Sequence, residues 1–134
     1  MTKKKMPREA ELLIEWQRRL GLQDWSIVLR TECDPKDMEI ADSEGCTVWE
    51  ESTKTASIQI VDPEKIECSV RKFDLEEVLI HELLHLKTTL LSSKDPDDLS
   101  ERILHQLIDD TARALVDARR APYDASKNNG TDED

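Results

Sequence analysis

Long apolar runs are missing from this chain, and basic residues are in the minority. No segment is long and apolar enough to predict a membrane span, and the first residues are charged or polar rather than an apolar signal core. Acidic residues number 30 against 19 lysines and arginines, which gives a formal net charge of −11. Because phosphate contacts need a basic face, this balance argues against nucleic acid as a partner, and the lack of apolar runs argues against a membrane.

Cysteine is scarce as well. Cys33, Cys46 and Cys68 are odd in number and form no CxxC pair. This pattern is typical neither of a disulfide framework nor of a cysteine zinc site, so we expect small thiols that are buried or half-buried. Together with the missing signal core, it predicts a soluble, cytoplasmic protein in a reducing compartment.

The composition changes along the chain and predicts one domain with two tails. Residues 1–7 are basic and are expected to be a disordered start, whereas residues 121–134 carry turn formers and acids and are expected to be a disordered acidic tail. Residues 8–120 hold the apolar periodicity of a single domain. A chain of 134 residues can bury one core but is too short for two comfortable domains.

The periodicity within this domain predicts helices and short strands in succession. A first helix is expected over residues 7–20, followed by the strand candidates "DWSIVLR", "GCTVWE" and "KTASIQIVD". The short polar segment between the last two strands predicts an antiparallel hairpin. Two more helices are expected over residues 73–91 and 96–119, the second with Asp95 as its N-cap. The sum is a small α+β domain with a three-stranded, mainly antiparallel sheet.

The stretch "LIHELLHLK", residues 79–87, places two histidines and a glutamate in the most apolar part of the chain. His81 and His85 lie one helical turn apart on one stripe, so both imidazoles can reach a single zinc ion. Glu82 lies beside them, where it can take a proton from a water that the metal activates. Since buried polar groups are costly unless a metal offsets their desolvation, we interpret His81-Glu82-Leu83-Leu84-His85 as an HExxH metal motif.

A hydrolytic zinc site usually has a third protein ligand, and the last helix offers two candidates. An antiparallel return of the chain is expected to bring Glu101 level with His85, and Glu101 and His105 share the stripe that should pack inward. We predict Glu101 as the third ligand and His105 as a catalytic group that orients a ligand or contacts the substrate oxyanion. Alternatively, His105 is the ligand and Glu101 lies outside the metal. Asp109 lies at the edge of the same face, with solvent or His105 as its expected partner.

The motif carries a resemblance to a known family. "HELLH" followed after fifteen residues by Glu101 resembles the gluzincin group of zinc metallopeptidases, whose third ligand is a glutamate on the next helix. The order of elements is similar to the single-domain minigluzincins and to metallopeptidase-like proteins of phages and prophages. The resemblance covers about residues 8–120 in topology but only residues 78–105 in motif.

This resemblance implies a zincin-like fold and a zinc-dependent endopeptidase. Zn²⁺ would be held by His81, His85 and Glu101, with Glu82 as the general base. The strand at residues 54–62 would be an edge strand above the cleft that pairs with an extended peptide substrate. Larger gluzincins often have an acid four residues after the glutamate ligand, where this chain has His105. They also have a downstream histidine or tyrosine for the oxyanion, in a subdomain that this chain lacks.

Two other functions are compatible with the same motif. One is a non-catalytic, zinc-stabilised module whose edge strand binds a protein partner. The other is a metal-dependent RNA-processing enzyme, a class that usually carries a third histidine soon after the motif and a basic cleft. Residues 86–95 contain no histidine, and the chain is acidic, so the sequence disfavours RNA processing.

Overall fold

The computed structural model describes residues 7–40, 43–66, 72–91, 95 and 97–121. Apart from Pro7 and Ala121, the predicted start and tail lie outside these residues, as does Cys68. The helices and strands follow one another as α1 (Arg8–Arg19), β1 (Ser26–Cys33), β2 (Gly45–Glu50), β3 (Thr55–Val61), α2 (Leu75–Lys87) and α3 (Leu99–Arg120). This order confirms the predicted α+β class.

The three strands form one mixed sheet in the order β1-β3-β2. β2 and β3 form the predicted antiparallel hairpin, with Gly45 opposite Ile60. β1 pairs with β3 in parallel, starting with Ser26 opposite Thr55. The prediction of a mainly antiparallel sheet is therefore wrong for this pair. The chain crosses from β1 to the far edge before the hairpin, so β3 returns between the two strands in the direction of β1.

The strand that was predicted to be an edge is the central one. Residues 54–62 contain β3, which has β1 on one side and β2 on the other. Its backbone groups are thus used within the sheet, and the prediction that this strand pairs with substrate is wrong. Of the strands that the structure describes, β2 is the edge next to α2, since Thr47 contacts Glu82.

Both ends of the connection between α2 and α3 differ from the prediction. α2 ends at Lys87, where the hydroxyl of Thr88 donates to the carbonyl of Leu84 at 2.9 Å. α3 begins at Leu99, and its N-cap is Asp98, whose carboxylate accepts from the backbone N–H of Ser100. Asp95 caps a turn just upstream instead. The prediction thus named the right residue type, an aspartate, but the wrong aspartate of the segment "DPDD".

The core lies between the sheet and the helices, with α2 in contact with α1, α3, β2 and β3. On α2 the apolar residues are buried on nearly all sides: Val78, Leu79, Ile80, Leu83 and Leu86. They pack with Ile58 and Ile60 of the sheet. Burial on most sides fixes the rotation of α2, and with it the direction of the HExxH side chains.

A buried carboxylate fixes α2 against both neighbouring helices. Glu76 is 1% exposed and accepts hydrogen bonds from Trp16 Nε1 at 2.7 Å and from Arg119 Nη2 at 3.2 Å. Arg120 Nη2 also donates to Glu76 at 3.1 Å, and to Asp74 at 2.8 Å. Burial by itself raises the pKa of Glu76, but the hydrogen bonds from Arg119, Trp16 and Arg120 outweigh it and leave the pKa below its ordinary value.

The described residues include two of the three cysteines and all the helices named above. Cys46 is buried and Cys33 half-buried, and both are free thiols, which confirms the prediction for these two residues. None of the helices in the described ranges combines the length and apolarity that crossing a bilayer requires.

Candidate metal centre

The two motif histidines face each other on α2. Nε2 of His81 lies 3.3 Å from Nε2 of His85, and the ring centroids are 5.0 Å apart. In a tetrahedral zinc site with Zn–N distances of about 2.0–2.1 Å, two ligand nitrogens are separated by about 3.3–3.4 Å. The pair is thus spaced as two ligands of one ion would be.

α3 brings a third imidazole to this pair. The ring of His105 lies 5.0 Å from that of His85 and 6.1 Å from that of His81, measured between centroids. One ligand atom from each of the three histidines lies within 4.8 Å of the other two. Among the described residues, these three form the cluster that could hold a metal ion.

Glu101 lies beside this cluster. Its Oε1 is 3.6 Å from Nε2 of His105, and its side chain is only 12% exposed. The structure therefore brings both candidates for the third ligand to the site, but it groups the nitrogen of His105 with the motif histidines. This geometry favours the alternative in which His105 is the ligand. Metal binding by Glu101 itself stays a prediction.

The packing of α3 on α2 explains why His105 lies there. Three cross-helix pairs share one antiparallel register: His85 with His105, His81 with Asp109, and the residue pair 77 and 113. The prediction placed Glu101 level with His85 by extending α2 to residue 91. α2 ends at Lys87 instead. The register of these pairs makes His105 the residue level with His85, so the predicted level of Glu101 is wrong.

Asp109 supports the first motif histidine. Its Oδ1 lies 2.7 Å from Nδ1 of His81, whereas the sequence suggested solvent or His105 as its partner. The contact follows from the direction of α3, since each further turn of α3 moves back along α2 from His85 toward His81. A carboxylate at the far nitrogen is a common support for a metal-binding imidazole.

The two motif histidines have lowered pKa values, which favours the neutral form that metal binding needs. Burial lowers the pKa of His85 to about 4, with further lowering by the nearby His81 and His105. Burial also lowers the pKa of His81, and Asp109 offsets part of that effect. Neutral imidazoles near pH 7 keep a lone pair for a metal ion, so the donor set fits zinc.

Glu82 is buried next to the histidines. It is 4% exposed, and its Oε2 lies 4.0 Å from Nε2 of His81. Burial raises the pKa of Glu82 to about 7, although a hydrogen bond from the hydroxyl of Thr47 lowers it in part. A carboxyl group that titrates near neutral pH can both accept and return a proton.

Thr47 is the site residue that the sequence does not reveal. Its Oγ1 donates to Oε1 of Glu82 at 2.7 Å. The alternation of β2 puts Thr47 on the same face as its pairing partner Ile58, but no signal in the sequence aligns this strand with α2.

A cleft of about 480 Å³ opens over these groups between β2, α2 and α3. Its described lining contains apolar walls at Ile40, Trp49, Val78 and Ala112. It also contains five carboxylates and no lysine or arginine among the described lining residues. This size suits a peptide side chain or another small group, whereas a phosphate backbone would meet like charge.

Comparison of the chain with models of protein families, with curated proteins and with solved structures gives no match. The resemblance to gluzincins therefore depends on the motif residues and on the order of elements along the chain.

Proposed function

We propose that this protein is a zinc-dependent peptidase in which His81, His85 and His105 hold the ion and Glu82 is the general base. The observation that carries the proposal is the convergence of three imidazole nitrogens within 4.8 Å of one another beside a buried carboxylate. Three histidine ligands would leave one zinc position for water, as in catalytic rather than structural zinc sites. The cytoplasmic location and the zincin-like fold stay part of the proposal.

The chain's own groups can carry the proton transfers of hydrolysis. Zinc held by these histidines would lower the pKa of water toward 7 and would polarise the scissile carbonyl. Glu82 takes one proton from the attacking water, whose oxygen bonds to the carbonyl carbon. As the C–N bond breaks, Glu82 gives that proton to the leaving amine, so the carboxylate is regenerated.

Within the described residues, no strand pairs with the edge of β2 that faces away from β3, and we propose that an extended peptide binds there. The backbone N–H of Val61 donates to the carbonyl of Glu44 at 2.9 Å, which sets the alternation of the hairpin. By this alternation, the backbone groups of Gly45, Thr47 and Trp49 point away from β3. A substrate strand that pairs with these groups would lie along the cleft next to Glu82.

The charge of the cleft supports peptide rather than RNA as substrate. Phosphates need cations for binding, and the described lining of this cleft offers carboxylates instead. A peptide bond is neutral and meets no such repulsion.

The test is zinc-dependent cleavage of denatured casein and of a peptide library by the full chain. We expect fragments that disappear on chelation and in Glu82→Gln, whose rate should fall by at least about 100-fold because the proton acceptor is lost. Zinc content should be unchanged, since Glu82 is not a ligand. Glu11→Gln is the control, because Glu11 is exposed on α1 and does not line the described part of this cleft, so activity should be kept.

Two results would contradict the proposal. Cleavage by Glu82→Gln at the parental rate would remove the general base. A zinc-loaded parent that yields no zinc-dependent fragments would favour the non-catalytic, zinc-stabilised binding module instead.

A further inference from the structure

Thr47 joins the open edge of the sheet to the carboxylate of Glu82. Its hydroxyl donates to Oε1 of Glu82 at 2.7 Å and lies 3.4 Å from the carbonyl oxygen of the same residue. The second carboxylate oxygen, Oε2, is the one that lies 4.0 Å from Nε2 of His81. One oxygen of Glu82 is thus held by the sheet, and the other is directed to the histidines.

Gly45 allows β2 to approach α2 closely enough for this bond. A Cβ atom at residue 45 would lie 2.8 Å from Cγ1 of Val78 and 3.0 Å from Oε2 of Glu82. It would also lie 3.2 Å from Cγ of Glu82. The space around the glutamate side chain is therefore filled on the side of Gly45, and other rotamers of Glu82 are restricted there.

The same residue also belongs to the surface that would bind substrate. Thr47 is opposite Ile58 in the hairpin, so its side chain lies on the core face while Val48 is 51% exposed on the other face. Its backbone groups point to the open edge by the alternation set at Glu44 and Val61. One residue thus directs its backbone groups to the edge of the sheet and its hydroxyl to the carboxylate of Glu82.

We propose that Thr47 is a positioning residue, which holds Oε1 of Glu82 so that Oε2 faces the metal and which sets the substrate strand in register with that carboxylate. This inference rests on the proposed function. It adds that the edge strand, and not α2 alone, orients the general base. A single hydrogen bond suffices because the carboxylate is buried and Gly45 leaves it little room to turn.

The test compares Thr47→Val, which removes the hydroxyl at nearly constant volume, with Thr47→Ser, which keeps it. Thr55→Val is the matched control, since Thr55 is exposed on β3 and its hydroxyl lies 2.8 Å from that of Thr53, away from Glu82. We expect Thr47→Val to lower kcat by about 10–100-fold with little change in KM and none in zinc content. Thr47→Ser should have a kcat within about three-fold of that of the parent, and the kcat of Thr55→Val should equal that of the parent.

A structural readout keeps the inference separate from the activity. In crystals of the zinc-loaded proteins, Glu82 of Thr47→Ser should superimpose on that of the parent, whereas in Thr47→Val its carboxylate should turn away from residue 47. An unmoved carboxylate in folded Thr47→Val overturns the inference, as does an unchanged kcat. If the parent cleaves nothing, the proposed function fails, and the position of the carboxylate in the three structures still decides the role of Thr47.

Discussion

Oδ1 of Asp109 lies 2.7 Å from Nδ1 of His81, and the other nitrogen of that ring faces His85 at 3.3 Å. A carboxylate at Nδ1 favours the tautomer with its proton on that atom, which leaves the lone pair of Nε2 for a metal ion. The contact joins α3 to the first motif histidine. A substitution of Asp109 therefore tests the proposed metal site without removing any of its proposed ligands.

We expect Asp109→Ala to weaken zinc binding by about 10–100-fold, because the His81 ring loses the group that orients it and makes it more basic. Competition with a chromophoric chelator measures the affinity. Asp110→Ala is the matched control, since Asp110 is the next residue on α3 and contacts Gln106 instead. Equal affinities of the two variants would exclude a supporting role for Asp109.

The third ligand can be assigned by metal content. His105→Ala should lose the tightly bound zinc ion, because a site with two histidines holds it weakly, whereas Glu101→Ala should keep about one equivalent. Elemental analysis after dialysis measures both, with Gln106→Ala on the same helix as the control. The reverse result, zinc lost only with Glu101→Ala, would restore the prediction made from the sequence.

The Glu76 cluster predicts how stability depends on pH. Since the folded-state pKa of Glu76 lies below the ordinary value of 4.5, its charge stabilises the fold above that pH. The contribution is lost as the pH falls below 4.5 and through the lower folded-state pKa. Glu76→Gln should therefore cost about 3 kcal/mol near neutral pH, the low end for a buried ion pair because the side chain of Arg120 is 46% exposed.

Urea unfolding of parent and variant across this pH range measures the difference in free energy of unfolding. This difference in free energy of unfolding should be largest near neutral pH and should become smaller below pH 4.5. Glu11→Gln, at an exposed position of α1, should change stability by less than about 0.5 kcal/mol. A gap between Glu76→Gln and the parent that stays constant over this range would mean that packing, and not charge, is the source.

The sequence could predict the parts of the site that depend on local periodicity. His81 and His85 are neighbours in any helix, because residues four apart lie on one stripe. The burial of α2 follows from its apolar residues, and the β2–β3 hairpin follows from two strand patterns with a short polar connection. The inward stripe of α3 could likewise be predicted, which is why both Glu101 and His105 were candidates.

Only the tertiary structure decided which of them lies level with His85. That choice depends on where α2 ends and on how α3 slides along it, and neither is encoded in the period of either helix. The position of β3 between β1 and β2 was also decided by long-range pairing, which leaves β1 and β2, and not residues 54–62, at the edges of the described sheet. The hydrogen bond from Thr47 to Glu82 also depends on long-range packing, since it joins residues 35 apart in the chain. The local sequence thus determined the pairing of His81 and His85 beside Glu82, and the packing of α3 and β2 on α2 determined what surrounds them.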